Sequence, residues 1–596
     1  MDYFNYPLDT KMLLRKKAKI RKQLLKQDNL IKKKIAVLGG STTNEIVDQL
    51  GNFLLYYGIS TEFYQSEYGQ YWEDAVFGNP VLDSFEPDLI YIHTSWRNIH
   101  VFPDMNNTKE EAEQMLENEI EHFTAMWEAV ENKFHCSIIQ NNFDRPNYRL
   151  MGNRDIWDYR GRSNYISRLN QKFYTYAQEH KNFYINDLEY ISQDYGLSEW
   201  NNPLYWHMYK YAMCMDAVPY VAQSVAGIIK SVYGKNKKVL ALDLDNTLWG
   251  GVIGDDGTEG IKIGTETPEG QVYTEFQNYC KSLQQTGVVL AVVSKNEMEN
   301  AMAGLRHPDG SLKPGDFVDI KANWEPKDRN LREIADELAL GVDSFVFVDD
   351  NPAERELVSA GIPDIAVPKM DGAENYIRVL DHSVYFEVTT LSAEDSGRTQ
   401  MYHAKADAYK AKAVYKDYSE YLDSLEMICT VDEFKPVYIQ RIAQLTNKSN
   451  QFNLTTLRCT ENDIRRMQDD NHYICLCGRL EDKFGNHGLV SVVAGEMTDD
   501  RLYIRLWLMS CRVLKRELEN AMMNVLVAEA DKYGVREIIG YYYPTAKNAM
   551  VKDFFGNMGF KQISLDKDGN SEWKLCVREY KKMFAHMRVE NQLWNK

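Results

Sequence analysis

The chain has 596 residues, too many for a single hydrophobic core, and its composition of 44% hydrophobic and 26% charged residues is ordinary for globular domains. Its formal net charge of -18 argues against nucleic acid as a main partner, because phosphate contacts need a surplus of Lys and Arg. The nine cysteines include no CxxC pair, and we find neither a signal peptide nor an apolar run long enough to cross a membrane. These features predict a multidomain cytoplasmic protein without stable membrane association.

The first 34 residues are predicted to form a basic helical segment. Lys and Arg recur from 11 to 34, interleaved with Leu and Ile, as in a basic amphipathic helix. Three interpretations stay open: a solvated helix packed on the next domain, a docking surface for an acidic partner, or a membrane contact.

Residues 35–233 are predicted to form the first α/β domain. Strand patterns at 34–38, 88–93 and 136–140 alternate with helical patterns at 44–57 and 109–132. Ser41 follows the first strand, where it could be a nucleophile, but a helix N-cap is the favoured interpretation.

Two carboxylates directly follow a buried strand at the start of the next domain. Residues 239–249 read VLALDLDNTLW, so Asp243 and Asp245 lie at the carboxyl edge of the strand, where open α/β sheets bind ligands. Carboxylates this close repel each other unless a cation or a proton lies between them. The spacing therefore predicts Mg²⁺ or a shared proton.

Further polar residues follow later strand-like runs. Residues 288–294 end in Ser294, residues 324–327 end in Lys327, and residues 344–350 end in Asp349 and Asp350. Together with Asp243-x-Asp245, they resemble motifs I to IV of the haloacid dehalogenase-like (HAD) phosphohydrolases.

That resemblance implies a role for each residue. Asp243 would attack phosphorus, Asp245 would handle the proton of the leaving group, Ser294 would hold a phosphate oxygen and Lys327 would neutralise charge. Mg²⁺ would be bound by the ligands Asp243, the Asp245 carbonyl, and either Asp349 or Asp350.

The remaining boundaries follow from composition. The phosphatase-like domain is predicted over 234–380, and residues 250–268 leave room for only a minimal cap. A helical linker is predicted over 381–426. A last domain over 427–596 alternates strand patterns, at 489–494 and 502–507, with a helix at 515–533.

A run dense in amides and hydroxyls, residues 441–456, is either a solvated loop or a polar binding surface. Together with DLDNTLWGGV at 243–252 and SCRVL at 510–514, this run resembles the FkbH-like proteins, HAD class IIIC members of polyketide pathways. The resemblance implies a multidomain α/β fold: an SGNH-hydrolase-like α/β domain, a HAD-like Rossmannoid parallel sheet, and a GNAT-like α+β acyltransferase domain.

The resemblance also implies a reaction. A glyceryl unit from 1,3-bisphosphoglycerate, a phosphorylated three-carbon acyl donor, would pass to the phosphopantetheine thiol of an acyl carrier protein, with loss of phosphate. The acyl phosphate is already activated toward a thiol, whereas the other phosphate is a monoester, which hydrolyses very slowly unaided.

The last domain departs from the GNAT pattern at residues 511–517. Lys515 and Glu517 stand where glycines are expected in the loop that binds the pyrophosphate of acyl-CoA, so ordinary acetyl-CoA use is disfavoured. Arg512, Lys515 and Arg516 are predicted to bind a phosphate instead.

Two further residues are candidates for acyl transfer. Cys511 would carry the acyl group as a thioester or would simply pack as a buried cysteine, and His487 is a candidate base. In the first domain, Leu204 occupies the position three residues before His207 where SGNH hydrolases have Asp. That domain is therefore predicted to be non-hydrolytic.

Three functions remain open. The leading one is a Mg²⁺-dependent phosphatase coupled to acyl transfer. The alternatives are a stand-alone phosphatase of a small phosphorylated metabolite and a non-enzymatic factor that docks a carrier protein.

Overall fold

The computed structural model describes residues 2–27, 30–391, 398–404, 417–545 and 547–594. It divides into two compact units, Met1–Val232 and Tyr233–Lys596, and the division lies one residue from the predicted boundary at 233/234. In the described part of the chain, no helix combines the length and apolarity needed to cross a membrane.

The first unit is built on a parallel five-stranded sheet with the order β2-β1-β3-β4-β5. Its strands are β1 Ile31–Gly39, β2 Ile59–Gln65, β3 Leu89–His93, β4 Ser137–Asn141 and β5 Phe183–Asn186. Its helices are α1 Thr10–Arg15, α2 Lys17–Leu24, α3 Asn44–Tyr56, α4 Tyr71–Val76, α5 Pro80–Phe85, α6 Lys109–Phe134, α7 Arg162–Glu179, α8 Leu188–Tyr195, α9 Leu197–Trp200, α10 Pro203–Tyr209 and α11 Val218–Val232.

Local sequence explains the long helix α6. Thr108 accepts a hydrogen bond from the Glu111 backbone N–H, and the Glu111 carboxylate accepts one from the Thr108 N–H, so a capping box fixes the first turn. The buried face of α6 carries Phe123 and Trp127, which contact Phe173 of α7. These aromatic side chains form the centre of the core on one face of the sheet.

The N-terminal basic segment was predicted as a single helix, but the structure divides it. It forms α1 and α2, and residues 31–34 belong to β1. The buried side chains Leu13, Ile20 and Leu24 anchor the two helices, and Lys17 binds Glu45 and Asp48 of α3. The three lysines of β1, at 32–34, lie in its exposed to half-buried start, and the strand is buried from residue 35 onward.

Burial of His93 at the end of β3 gives the first unit a pH-dependent stability. Its Nδ1 accepts a hydrogen bond from the Asn141 amide at 2.9 Å, and burial lowers the pKa of the ring to about 4. The folded state therefore holds His93 neutral. Titration of His93 costs no stability above the ordinary histidine pKa of about 6.5, and it destabilises the folded state progressively as the pH falls from there to about 4.

We expect this histidine to cost roughly 3 kcal/mol of unfolding free energy between those limits. Urea denaturation of the full chain at several pH values should show a steeper acid loss for the wild-type protein than for His93→Gln. His207→Gln, which changes an exposed histidine of the same unit, is the matched control. Equal pH slopes for the wild-type protein and His93→Gln would rule out this origin.

The second unit begins with a parallel four-stranded sheet with the order β8-β7-β6-β9. Its strands are β6 Val239–Leu242, β7 Val289–Ser294, β8 Phe317–Ala322 and β9 Phe345–Val348. Its helices are α12 Ile253–Gly260, α13 Pro268–Gln285, α14 Met298–Leu305, α15 Lys327–Leu338, α16 Pro352–Gly361 and α17 Tyr376–His382. Strands β6, β7 and β9 are fully buried and almost entirely apolar, as expected when helices cover both faces, whereas the edge strand β8 includes Asp319 and Lys321.

Part of the predicted linker at 381–426 lies outside the described residues, at 392–397 and 405–416. Residues 398–404 are helical, as is α18 Tyr418–Asp423, which follows.

The rest of the second unit is a mixed sheet with the order β16-β17-β15-β14-β13-β12-β10-β18, to which β11 adds beside β14. Its strands are β10 Met427–Glu433, β11 Phe452–Asn453, β12 Tyr473–Asp482, β13 Gly485–Thr498, β14 Arg501–Met509, β15 Glu537–Tyr542, β16 Lys561–Leu565, β17 Ser571–Cys576 and β18 Met587–Asn591. Its helices are α19 Ile439–Lys448, α20 Glu461–Asp469, α21 Leu518–Lys532 and α22 Phe554–Asn557.

Candidate active site

Three carboxylates meet at the carboxyl edge of the four-stranded sheet. Asp243 follows β6, and Asp349 and Asp350 follow the adjacent strand β9; the Asp243 backbone N–H donates to the Val348 carbonyl at 2.9 Å. One oxygen from each carboxylate lies within 4.8 Å of the others. Hard oxygen donors in this number and spacing fit a divalent cation such as Mg²⁺.

Lys327 lies between two of these carboxylates. As the first residue of α15, it places its Nζ 3.0 Å from the Asp243 Oδ1 and 2.6 Å from the Asp349 Oδ2. The side chain of Lys327 is only 3% exposed, so this charge acts with little screening by water. The remaining oxygen of Asp349 accepts the Asn351 backbone N–H at 2.9 Å, which fixes the carboxylate in place.

Burial and mutual repulsion shift the titration of this cluster. Burial, followed by the charge of Asp243, raises the pKa of Asp349 to about 6 and also raises the pKa of Asp350. Burial by itself would lower the pKa of Lys327, but Asp243 and Asp349 outweigh it and the pKa is raised. The cluster therefore has a deficit of positive charge that one cation would relieve.

Asp245 lies outside the three-carboxylate cluster, in a position suited to proton transfer. Its Oδ1 accepts hydrogen bonds from Trp249 Nε1 at 2.9 Å and the Ile253 N–H at 3.1 Å, and its Oδ2 accepts one from Asn296 Nδ2 at 3.1 Å. Burial raises the pKa of this carboxyl. Its coordination of a metal through the carbonyl stays a prediction.

Ser294 ends β7 beside β6, and its side chain is buried at the same edge of the sheet. Two neighbouring residues had no predicted role. Asn296 orients Asp245, and the buried Thr247 hydroxyl has no hydrogen-bond partner in the described part of the chain. The Asp-x-Asp-x-Thr spacing already pointed to Thr247, whereas nothing in the local pattern marked Asn296.

The segment between the first strand of this sheet and α13 is short. Residues 250–268 form only the short helix α12 and its flanking turns before α13 begins. The expected minimal cap is thus what the structure shows, and no domain is inserted there.

Cys511 is not beside the carboxylates. Its side chain packs against the hydrophobic core of the four-stranded sheet and lies near Lys238, which precedes β6. Asp243 follows the other end of that strand, so roughly 15 Å of strand separates the two ends. Partial burial at this edge favours the packing interpretation of Cys511 over the thioester one.

A buried ion cluster engages two of the other residues predicted for acyl transfer. The Arg516 guanidinium binds the Asp482 carboxylate, whose Oδ2 also lies 2.8 Å from His487 Nε2. Asp482 therefore neutralises Arg516, which is engaged here rather than free to bind a phosphate. The contact with Asp482 fixes the His487 ring, and the role of His487 as a base stays a prediction. The Arg512 side chain lies outside the described residues, and Lys515 is exposed, so its phosphate role stays a prediction.

The two positions where glycines were expected keep a glycine-like backbone. Lys515 and Glu517 have φ angles of 63° and 60°, in the left-handed region that favours Gly. The Glu517 side chain contacts the C-terminal segment, where its carboxylate lies 2.7 Å from the His586 Nδ1. These side chains would obstruct the close backbone approach that a pyrophosphate needs.

The amide-rich run forms the end of α19 and then the short strand β11, which lies between two strands of the sheet. Strands β14 and β15 pair only from Arg501 to Tyr503 and then diverge. The run enters the gap as β11, which pairs with β14, and Leu454 joins the Trp507 carbonyl to the Tyr543 N–H at 3.0 and 2.9 Å. This part of the run is neither the solvated loop nor the open binding surface that the sequence suggested.

Comparisons with known proteins agree with this site. The family model of the FkbH N-terminal domain matches residues 34–230. The crystal structure of the N-terminal part of the protein BF1531 from Bacteroides fragilis, containing a phosphatase domain and complexed with Mg, is 30% identical over 63% of this chain and 99% of that one, with a TM-score of 0.57. Comparison with curated proteins gave no match.

Shorter similarities exist to acetyltransferases. They include the ribosomal-protein-S18-alanine N-acetyltransferase from Escherichia coli, 13% identical over 26% of this chain and 98% of that one, with a TM-score of 0.21. The PaiA N-acetyltransferase from Thermoplasma acidophilum, in complex with coenzyme A, is 13% identical over 25% and 98%, with a TM-score of 0.20. Similarity at this level says nothing about activity.

A parallel sheet with these acids and Lys327 at its carboxyl edge is that of a HAD-type phosphatase domain. The chain belongs to the FkbH-like family of multidomain proteins.

Proposed function

We propose that this protein is a Mg²⁺-dependent phosphatase that couples dephosphorylation to transfer of a glyceryl unit onto the thiol of an acyl carrier protein. The observation that carries the phosphatase half is the convergence of Asp243, Asp349 and Asp350 around Lys327 at one sheet edge. The acyl-transfer half is supported by the family resemblance alone.

The phosphatase reaction follows from the charges at the site. An Asp243 oxygen forms a bond to phosphorus as the ester P–O bond breaks, and Asp245 gives its proton to the departing oxygen. Burial raises the pKa of Asp245, which favours its protonated form relative to an exposed carboxyl. Water then attacks the aspartyl-phosphate, Asp245 takes up a proton, and Asp243 is freed.

The other residues stabilise the charge that moves during this reaction. Lys327 faces the nucleophile, and the Ser294 hydroxyl is suited to hold a phosphate oxygen. Mg²⁺, held by Asp243, Asp349 and Asp350, would screen the anionic nucleophile from the anionic substrate.

A phosphatase site without an inserted cap domain suits a phosphate presented on a large carrier. The acyl phosphate of 1,3-bisphosphoglycerate reacts readily with a thiol, and the phosphate monoester left on the acyl group needs an enzyme. The short segment with α12 in place of a cap domain supports a carrier-bound phosphoglyceryl group as the substrate.

Intact mass spectrometry of the carrier tests the proposal directly. We expect holo-acyl carrier protein incubated with the enzyme, Mg²⁺ and 1,3-bisphosphoglycerate to gain a glyceryl group without phosphate. A carrier that retains its phosphate with Asp243→Asn would place transfer before dephosphorylation. Phosphate release without any adduct would contradict the acyl-transfer half. If neither phosphate nor adduct forms, only a docking role remains.

A stand-alone phosphatase of a small phosphorylated metabolite is the second candidate. It is favoured by the engagement of Arg516 with Asp482 and by the packing of Cys511, because both groups were predicted to take part in acyl transfer.

A further inference from the structure

The carboxyl edge of the sheet in the first unit has a topological switch point, called the crevice below, that the phosphatase proposal does not use. Strand order reverses between β1 and β3, and open α/β sheets bind ligands at such a switch point. The turn after β1 and the turn after β3 meet there: the Gly40 N–H donates to the His93 carbonyl, and the Asn98 amide donates to the Gly40 carbonyl, both at 2.9 Å. A Cβ at position 40 would lie 2.2 Å from the Asn98 amide nitrogen, so Gly40 is required for this contact.

Ser41, within the first turn, has a buried and unsatisfied hydroxyl. Its side chain belongs to a residue that is only 3% exposed, and its Oγ has no hydrogen-bond partner. The N-cap of α3 is Thr43, which makes no side-chain hydrogen bond to the helix, so the expected N-cap role of Ser41 is wrong. An uncapped N-terminus of a 13-residue helix thus lies next to an unused hydroxyl.

Arg97, in the second turn, is a cation without an anionic partner. Its guanidinium lies 4.5 and 4.6 Å from the ring centroids of Trp96 and Trp206, and in the described part of the chain it makes no ion pair. The nearby Asp144 acts on Arg97 only at a distance, because its two oxygens accept hydrogen bonds from the Trp96 N–H and the Trp200 Nε1 and none from the guanidinium. Stacking holds the guanidinium in place while its N–H donors stay unused.

Helix α10 brings a second cation to the same turn. Thr42 donates its N–H to the Lys210 carbonyl at 3.0 Å and its hydroxyl to the Tyr209 carbonyl at 2.6 Å. Lys210 Nζ lies 5.6 Å from the centroid of the Trp206 ring that also stacks on Arg97. Both cations are therefore tied to the segment that contains Ser41.

The acidic residue closest in sequence does not cancel this charge. Glu45 lies in the first turn of α3, but Lys17 Nζ donates to both of its oxygens, at 2.9 and 2.8 Å. What remains at the crevice is a set of donors and positive charge: a hydroxyl, a helix N-terminus, and two cations.

We infer that this crevice binds the phosphate group of a small phosphorylated molecule, without hydrolysing it. A phosphate monoester carries close to two negative charges and only acceptor oxygens, which complements Arg97, Lys210 and the Ser41 hydroxyl. A neutral ligand would leave both cations unpaired, and a carboxylate would balance only one of them.

Calorimetric titration of the full chain in EDTA at pH 7.5 tests the inference, with inorganic phosphate, 3-phosphoglycerate and glycerate as probes. Without metal, the three clustered carboxylates of the second unit repel phosphate, so the signal reports the first unit. We expect phosphate and 3-phosphoglycerate to bind, and Arg97→Met and Ser41→Ala each to weaken that binding by about tenfold or more.

Arg149→Met, which changes an exposed arginine of the same unit, is the matched control and should bind like the wild-type protein. Ser41→Ala should melt no earlier than the wild-type protein, because the hydroxyl it removes has no partner. Tighter binding of 3-phosphoglycerate than of inorganic phosphate would identify a phosphorylated metabolite, and equal binding would mean that the phosphate group alone is recognised. Absence of saturable phosphate binding, binding of glycerate alone, or equal behaviour of Arg97→Met and Arg149→Met would overturn the inference.

Discussion

Asp243→Asn is expected to reduce phosphate release by at least about 10³-fold, because an amide oxygen cannot replace the attacking carboxylate. The variant should still fold. Asp243 shares the site with Asp349 and Asp350, so removing one of three like charges relieves repulsion while Lys327 keeps its contact with Asp349. In EDTA, its free energy of unfolding should therefore be no lower than that of the wild-type protein.

Release of phosphate from p-nitrophenyl phosphate and from 3-phosphoglycerate, with Mg²⁺ present, measures this effect. Asp309→Asn, an exposed carboxylate of the same domain, is the matched control and should keep full activity. Undiminished release by a folded Asp243→Asn would show that another group attacks phosphorus.

Lys327→Met should have the largest effect on stability. Its ammonium lies 3.0 Å from Asp243 and 2.6 Å from Asp349, and all three side chains are at most 9% exposed. Removing the cation leaves buried carboxylates without compensation, which costs about 3–5 kcal/mol of unfolding free energy in EDTA. Phosphatase activity should also fall, by about 10²-fold or more, because the charge that faces the nucleophile is gone.

Mg²⁺ separates this electrostatic effect from simple loss of packing. A divalent cation at the three carboxylates replaces part of the missing charge, so urea denaturation should show a larger gain from Mg²⁺ in the variant than in the wild-type protein. Lys369→Met, which removes an exposed ion pair with Asp371, should change stability by only about 0–1 kcal/mol. A variant that Mg²⁺ stabilises no more than the wild-type protein would contradict the assignment of the metal site.

Most residues at the carboxyl edge of the four-stranded sheet could be predicted, because each directly follows or ends a strand that the local sequence pattern identifies. Each of Asp243, Ser294 and Asp349 ends an apolar strand, and parallel strands bring their carboxyl ends to one edge. The spacing of the motifs along the chain was therefore enough to predict that these side chains lie close together. Asn296 could not be predicted, because its role depends on the contact with Asp245 and not on a repeat or a strand end.

The last domain shows the opposite case. Arg512, Lys515 and Arg516 looked equivalent as a basic run, yet Asp482 pairs with Arg516 from 34 residues away. The left-handed backbone at Lys515 and Glu517 is likewise invisible in residue types that normally avoid it.

The amino-acid sequence by itself determined the order of strands and helices around the acidic edge, and hence the chemistry of a metal-assisted phosphatase. Strand periodicity and the chain order of acidic residues are local properties that persist in any fold built from them. Only the tertiary structure decided which cations are neutralised and which are free, as with Arg516 against Asp482 and Arg97 between Trp96 and Trp206. The reason is that charge pairing inside a protein depends on burial and distance between remote residues, and neither is encoded in the spacing of neighbours.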